Sequence, residues 1–347
     1  MKCSSQMSCL SMAVAVCALA APLAAGGRDD PRVAALAKEV AHKGWIVYGA
    51  RSPQGDWDLF LMRPDGSRVR NITNTPGYGE AGARFSLDGK KLLYRRLPKD
   101  AKINHDKWGF QGELVIANAD GTDPVALGGE GEYPWASWSP DGKQISCLTK
   151  KGILIVEVAT KRTVRKMKRH GTYQQLFWSP NGRWFCGVTN FLGENWTVAR
   201  ISVETGQISA VSSFRNCTPD WFADSKRIIF SNRPKNQEGY GWTQLWMASI
   251  DGKTRGLIYG EDGRHVYGGV LSPDDKYVLF TSGLKDGSGA DKAGAPMGLM
   301  RLGDAPAITG QSEALRKVHP KTKDGPVLFL PVGWEPHWTY ADVGAGK

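Results

Sequence analysis

Histidine, tyrosine, arginine and glutamate are the side chains from which proteins build proton transfer and anion recognition, and this sequence gathers several of them in short segments. Arg264, His265 and Tyr267 lie within four residues of one another, Glu335 and His337 within three, and His170 and Tyr173 form a sparser third group. These types suit the abstraction of a proton beside a carboxylate, with a cation to hold the charge that develops. They suit equally well the binding of an acidic or polar partner that is not chemically changed. The six histidines are too dispersed for a metal pattern, so no metal and no cofactor is expected. Other chemistries lack their motifs. The segment GQSEA at 310–314 lacks the final glycine of a nucleophile elbow. No phosphate loop, dinucleotide fingerprint or HExxH helix occurs.

Something must position these groups, and the chain repeats itself to do so. A phrase returns as FSLDGKKLLY from Phe85, WSPDGKQISC from Trp138, WSPNGRWFCG from Trp178, WFADSKRIIF from Trp221 and LSPDDKYVLF from Leu271, with a degenerate copy, WTYADV, from Trp338. The spacings are 53, 40, 43, 50 and 67 residues. A unit near forty residues with insertions matches a four-stranded propeller blade. The phrase is itself a hairpin turn. Pro140 presets φ, Asp141 bonds nearby backbone and Gly142 accepts the left-handed conformation. A second turn of DG type follows in RPDG, NADG and SIDG. Each unit therefore reads as strand a, Ser-Pro-Asp-Gly turn, strand b, loop, strand c, Asp-Gly turn, strand d.

The ends of the repeat are incomplete in complementary ways. GWIVYGAR and DLFLMRPDG supply strands b and c with no strand a before them, while GWEPHWTY supplies a strand a with no b after it. The two should complete one blade. The expected fold is all-β: a six-bladed β-propeller of four-stranded blades closed by pairing of N- and C-terminal strands. Residues 29–43 predict a short helix, with Asp30 as N-cap, Pro31 in the first turn and Val33, Leu36 and Val40 on one face.

Residues 10–25, LSMAVAVCALAAPLAA, read as a secretory signal that is too short to span a bilayer. The expected division is a signal at 1–25, a helix and linker at 26–43 and the propeller at 44–347, in a periplasmic or secreted protein. Cys147, Cys186 and Cys217 lie beyond the signal and read as buried small hydrophobes, with a single bridge as the alternative. The net charge of +11 favours acidic partners: envelope polymers, anionic lipid or an acidic protein face. The densest basic run, KRTVRKMKRH at 161–170, contains no aromatic residue, which argues against nucleic acid. It reads first as an outer strand whose charges block edge-to-edge pairing.

WSPDGK, WSPNGR and LSPDDK, with RPDG, NADG and SIDG, resemble the TolB-like propellers of bacterial envelopes over nearly all of 44–347. The resemblance implies the six-bladed fold and an envelope location, and says little of activity. The namesake of that family, a periplasmic protein of the Tol-Pal system, carries an α/β domain before its propeller. Only about 18 residues separate the signal from the first strand here, so a stand-alone propeller is expected and that domain's contacts are not carried over.

Strands alternate in direction, so the b–c loops and d–a loops share one face. The b–c loops 98–112, 190–196, 232–242 and 282–296 are long, and insertions collect on binding faces. They bring Trp108 and Trp242, while His170, Tyr173, Arg264, His265, Tyr267, Glu335 and His337 are expected around the channel mouth on the same side. The reading is a non-catalytic, monomeric, exported propeller. It binds a protein or cell-envelope polymer through this face, with peripheral envelope association and no nucleic acid. The alternative is a carbohydrate-active enzyme, lyase-like, with an acidic sugar as substrate and a His/Arg/Tyr site at the channel mouth.

Overall fold

Each Ser-Pro-Asp-Gly phrase closes a hairpin through the same contacts. The Ser139 hydroxyl donates to Asp141 Oδ1 at 2.6 Å, and the Lys143 and Gln144 N–H groups donate to Asp141 Oδ1 and Ser139 Oγ. Gly142, at φ +67°, donates its N–H to the Ser139 carbonyl. Ser86 with Asp88, Ser179 with Asn181 and Ser272 with Asp274 repeat this arrangement. A short polar side chain that satisfies turn backbone while a left-handed residue reverses the chain is what the motif encodes.

A computed structural model describes residues 29–101, 107–194, 196–213, 215–233, 235–236, 239–240, 243–260, 264–284, 295–304, 308–309 and 325–344. The fold is all-β apart from one α-helix and two single-turn 3-10 helices, with four-stranded blades in a propeller arrangement. One sheet holds Tyr78–Phe85, Lys91–Pro98, Glu113–Asn118 and Val125–Ala126. The next holds Ser137–Trp138, Gln144–Thr149, Gly152–Glu157 and Thr163–Met167. A third holds Thr172–Trp178, Trp184–Thr189, Thr197–Ser202 and Ile208–Ser212. The fourth holds Asn216–Trp221, Arg227–Asn232, Gln244–Ser249 and Arg255–Tyr259, with Ile308–Thr309 added at its edge.

Apart from the short pair Lys235–Asn236 and Gly239–Tyr240, the remaining strands form one seven-stranded sheet rather than two separate ones. Its order is Arg264–Leu271, Tyr277–Leu284, Ala295–Arg301, Leu328–Thr339, Trp45–Arg51, Trp57–Met62 and Arg70–Asn71. The strand Leu328–Thr339 makes it continuous. Its first half pairs antiparallel with Ala295–Arg301, as Leu328 opposite Leu299 and Gly333 opposite Ala295. Its second half pairs with Trp45–Arg51, as Trp334 opposite Gly49, Trp338 opposite Ile46 and Thr339 opposite Trp45. The C-terminal strand thus lies against Ile46 and Val47, as the incomplete repeats require.

Apolar faces meet between the sheets. Trp138 and Trp221 sit at these seams and donate their indole N–H groups to the preceding sheet, Trp138 to the Arg84 carbonyl at 3.3 Å and Trp221 to the Phe177 carbonyl at 2.9 Å. The helix Pro31–Val40 is capped by Asp30, whose carboxylate accepts the Arg32 N–H at 2.8 Å. Its buried Val33, Leu36 and Val40 join Ile46, Tyr48, Tyr277 and Trp338 in one cluster. Glu39 accepts from the Tyr277 hydroxyl and from Arg301, tying the helix to the seven-stranded sheet.

One expectation is corrected. The longest connection, 302–327, joins strands c and d of its unit, so the long insertions do not all share one face. The sequence hid this because strand d there continues without a break into GWEPHW. Cys147 and Cys186 are buried, and the three cysteines form no disulfide with one another. Among the described residues no helix is long and apolar enough to cross a membrane.

Candidate binding site in the central channel

The residue immediately before the motif aromatic occupies one position in every repeat. These residues are Arg84, Ser137, Phe177, Asp220, Val270 and His337, and all six line a single cavity of about 220 Å³. Strand a is therefore innermost throughout, and its last residues surround a central channel. At the hairpin end Leu87, Pro140, Pro180, Ala223 and Pro273 line the rim together with the turn serines and Asp275.

An ion pair crosses this channel. Arg84 Nη1 lies 2.7 Å from Asp220 Oδ2, with both side chains 17 % exposed. The guanidinium also lies 3.9 Å from the centroid of Phe177, a stacked placement suited to a weakly hydrated planar cation. His337 stands beside it, and its Nδ1 accepts the Phe85 N–H at 3.2 Å. The imidazole lines the channel and packs near the Phe85 ring, 6.0 Å between centroids. Removal from bulk water, reinforced by the Arg84 charge, holds its pKa well below the ordinary range, so the ring is neutral.

Toward the other end the channel continues into a cavity of about 70 Å³ that shares Arg84, Phe177, Asp220 and Val270 with the first. Its wall adds Trp135, Tyr173, Gln174, Thr218, Gly268 and Glu335. This is where the inner strands bulge. Trp135, Thr218, Gly268 and Glu335, each three residues before the motif aromatic, have φ of +50°, +46°, +64° and +46°, and Gly82 at the same position has +66°. Gln174, four before, has +67°. Pairing registers slip here between Ala81 and Arg84, Tyr173 and Phe177, Cys217 and Asp220, and Tyr267 and Val270. A bulge re-aims side chains, and left-handed backbone at non-glycine residues is strained. The repeat thus holds a girdle of strained bulges around one depth of the channel.

Tryptophans pack behind this girdle. Trp108 is buried against Gly82, where a Cβ would lie 2.1 Å from Trp108 Cη2. Its ring meets Trp135 edge-on at 4.7 Å and Trp334 at 5.8 Å. The indole N–H groups of Trp108 and Trp135 are buried and find no hydrogen-bond partner among the described residues. Nearby, a buried carboxylate pair spans two sheets. Glu80 accepts from the Thr75 hydroxyl, while Asp58 accepts from Asn71 Nδ2 and the Thr73 hydroxyl. Burial, with the Asp58 charge adding to it, pushes Glu80 up to about 7 against the Thr75 hydrogen bond.

The structure brings together only part of the sequence-based set. Tyr173 and Glu335 line the inner cavity, and His337 lines the channel below them. His265 instead has Nδ1 within 3.1 Å of the Thr243 N–H and 3.0 Å of its hydroxyl. Arg264 reaches the Ser282 carbonyl on its own hairpin, and Tyr267 lies over Gly283. These three do not line the channel, because the bulge after Tyr267 presents Gly268, Gly269 and Val270 there. His170 bonds the Gly206 carbonyl of the neighbouring 202–208 turn at 2.9 Å, at the periphery. Trp108 packs inward, with 2 % exposure, because glycine at position 82 leaves room for its ring. Trp242, like residues 102–106, lies outside the described residues. Among the described residues no three His, Cys, Asp or Glu side chains converge as metal ligands. Arg84, Asp220 and Phe177 were missed. The signal was available in the alignment itself, in the column immediately before each motif aromatic.

No protein-family profile matches the chain, and no curated protein matches it. Solved structures do. TolB from Acinetobacter baumannii superposes with a TM-score of 0.60 at 16% identity, over 86% of this chain and 67% of that one. A putative TolB from Agrobacterium tumefaciens gives 0.52 at 19% identity, over 83% and 98%. A chain of a nidogen/laminin complex gives 0.53 at 10% identity, over 85% and 98%. At such identities the likeness is one of fold. The chain has the fold of the TolB β-propellers.

Proposed function

We propose that this is a non-catalytic, exported, monomeric propeller that binds a protein or cell-envelope partner at the channel mouth next to the b–c loops. The six-blade count belongs to this reading. It is supported by the six equivalent residues around the channel and by the double pairing of Leu328–Thr339, which divides the seven-stranded sheet into two four-stranded units. Export and envelope location are supported by the apolar segment 10–25 and by the kinship in fold.

The observation that carries the binding reading is Trp135. It lines the inner cavity, is 3 % exposed, and keeps its indole N–H without an acceptor. A buried donor left unmade is costly, on the order of 1–3 kcal/mol. An acceptor supplied by a partner would recover that, with Tyr173 and Glu335 beside it to fix orientation. The candidate bases point away from enzyme chemistry. His337 is neutral and already accepts a backbone N–H, and His265 is engaged with Thr243.

A photo-crosslinking residue at Tyr173, in cells that make the protein, should capture a discrete partner, and the same residue at Ala223 on the hairpin rim should not. Trp135→Phe should weaken that capture. Crosslinks arising only from Ala223, or cleavage of acidic oligosaccharides by the purified protein, would overturn the reading.

A further inference from the structure

Residues 150–169 contain eight lysines and arginines and one acidic residue, Glu157. The fold places them on the outside of the ring. Thr163–Met167 is the outermost strand of its sheet, and no further strand pairs with it. Lys150, Lys151, Lys161, Arg162, Arg165, Lys166 and Lys168 are exposed. Arg165 donates to the Glu204 carbonyl of the neighbouring sheet, and Arg162 stands 4.0 Å from Glu157. Among the described residues the exposed lysines of this run form no ion pair, and they lie along one side of the sheet.

The sequence shows no aromatic residue in this run. The fold supplies two. Gly171 packs against Phe191, the Thr189 hydroxyl donates to the His170 carbonyl, and the His170 ring lies 6.1 Å from that of Phe191. The basic strand therefore exits directly onto the loop 190–196. That loop is closed by Asn190 Oδ1 accepting the Trp196 N–H at 3.1 Å. It displays Phe191 at 66 % exposure and Trp196 at 42 %, with the Arg215 guanidinium 5.6 Å from the Trp196 ring. Trp196 holds φ +59°, an unusual conformation for so bulky a residue. Glu194 is the acidic residue of the loop, and it is exposed.

We propose that this edge and loop form a binding surface for an anionic polysaccharide, with the lysines on its acidic groups and Phe191 and Trp196 against its sugar rings. Two properties are needed for such a ligand, a row of cations and flat apolar faces in water, and the fold joins them end to end. Two exposed aromatic rings on one short loop leave apolar surface in water, and like charges in a row repel unless an anion neutralises them. An exported protein meets sugar polymers rather than nucleic acid, so the choice of polymer rests on the export reading. The loop 190–196 is one of the b–c loops beside the channel mouth, but none of the residues proposed here lines either channel cavity.

The test uses the purified full chain and dextran sulfate, with neutral dextran, oligo-dT and anionic phosphatidylglycerol vesicles as comparisons. Dextran sulfate should bind, and tighter than oligo-dT or vesicles, while neutral dextran should not. Lys161→Glu/Lys166→Glu/Lys168→Glu should weaken binding more than tenfold and reduce the dependence of log affinity on log salt by roughly two units. Phe191→Ala/Trp196→Ala should weaken binding about tenfold with the salt dependence unchanged. Unchanged melting of both variants, whose altered side chains are all exposed, excludes misfolding as the cause. Tighter binding of oligo-dT or vesicles, or an aromatic variant that binds like the parent, would overturn the proposal. Tyr173→Ala at the channel mouth should leave dextran sulfate binding unaltered, which separates this surface from the proposed partner site.

Discussion

Arg84 and Asp220, 136 residues apart, meet at 2.7 Å across the central channel. Each is the residue before the motif aromatic of its own repeat, three repeats apart, so the pair bridges opposite walls. Removing one partner leaves a poorly solvated charge without its counter-ion. Arg84→Met or Asp220→Leu alone should destabilise by about 2–4 kcal/mol in urea unfolding, and the double variant by less than either single one. Additive losses in the double variant would show that the pair does not act as a unit.

The seam tryptophans should matter through volume. Trp138→Ala leaves a large void between two sheets and removes the hydrogen bond to the Arg84 carbonyl, and the expected loss is about 3–5 kcal/mol. Trp138→Phe keeps most of the packing and should lose only about 1 kcal/mol. Denaturant midpoints of the two variants distinguish these contributions.

Gly82→Ala tests the tryptophan packing from the other side. Its Cβ would lie 2.1 Å from Trp108 at a left-handed φ of +66°. Both effects oppose the change, so a loss well above 1 kcal/mol is expected, with an altered tryptophan emission spectrum.

The Glu80 carboxyl gives the protein a pH dependence with a definite sign. Its folded pKa, raised by burial to about 7, lies above the unfolded value of 4.5. Between these values the folded state holds a proton that the unfolded state has lost. Stability therefore falls as pH rises from about 4.5 to about 7, by up to ~3 kcal/mol, and changes little from this source outside that window. Glu80→Gln should flatten this slope in melts across the window and stabilise the protein above neutrality. A slope unchanged by the substitution would assign it elsewhere.

Deleting 335–347 removes the segment that pairs with Trp45–Arg51. Cooperative thermal unfolding should be lost rather than shifted by a few degrees, because a strand edge and an apolar face would both be left open. Calorimetry of the shortened chain shows which occurs.

The hairpins were legible because they are local: Ser139, Asp141 and Gly142 determine their turn within a few residues. The pairing of both chain ends was legible because each supplied what the other lacked. The channel was harder to read. Arg264, His265 and Tyr267 were expected there from their place at the start of an inner strand, but the bulge at Gly268 turns them away. A bulge changes which side chains face inward without changing the hydrophobic pattern enough to be seen. Trp108 was read as an exposed anchor because its loop is polar. Only its contact across to Gly82, 26 residues earlier, explains its burial.

The strand Leu328–Thr339 belongs to the sheets of both its neighbours at once. During synthesis, Trp45–Arg51 emerges early and waits for a partner that arrives nearly three hundred residues later. Contacts so remote in sequence form slowly. The first unit to be made is then the last to be finished, and in the interval its exposed edge is where a chaperone or a protease would find purchase.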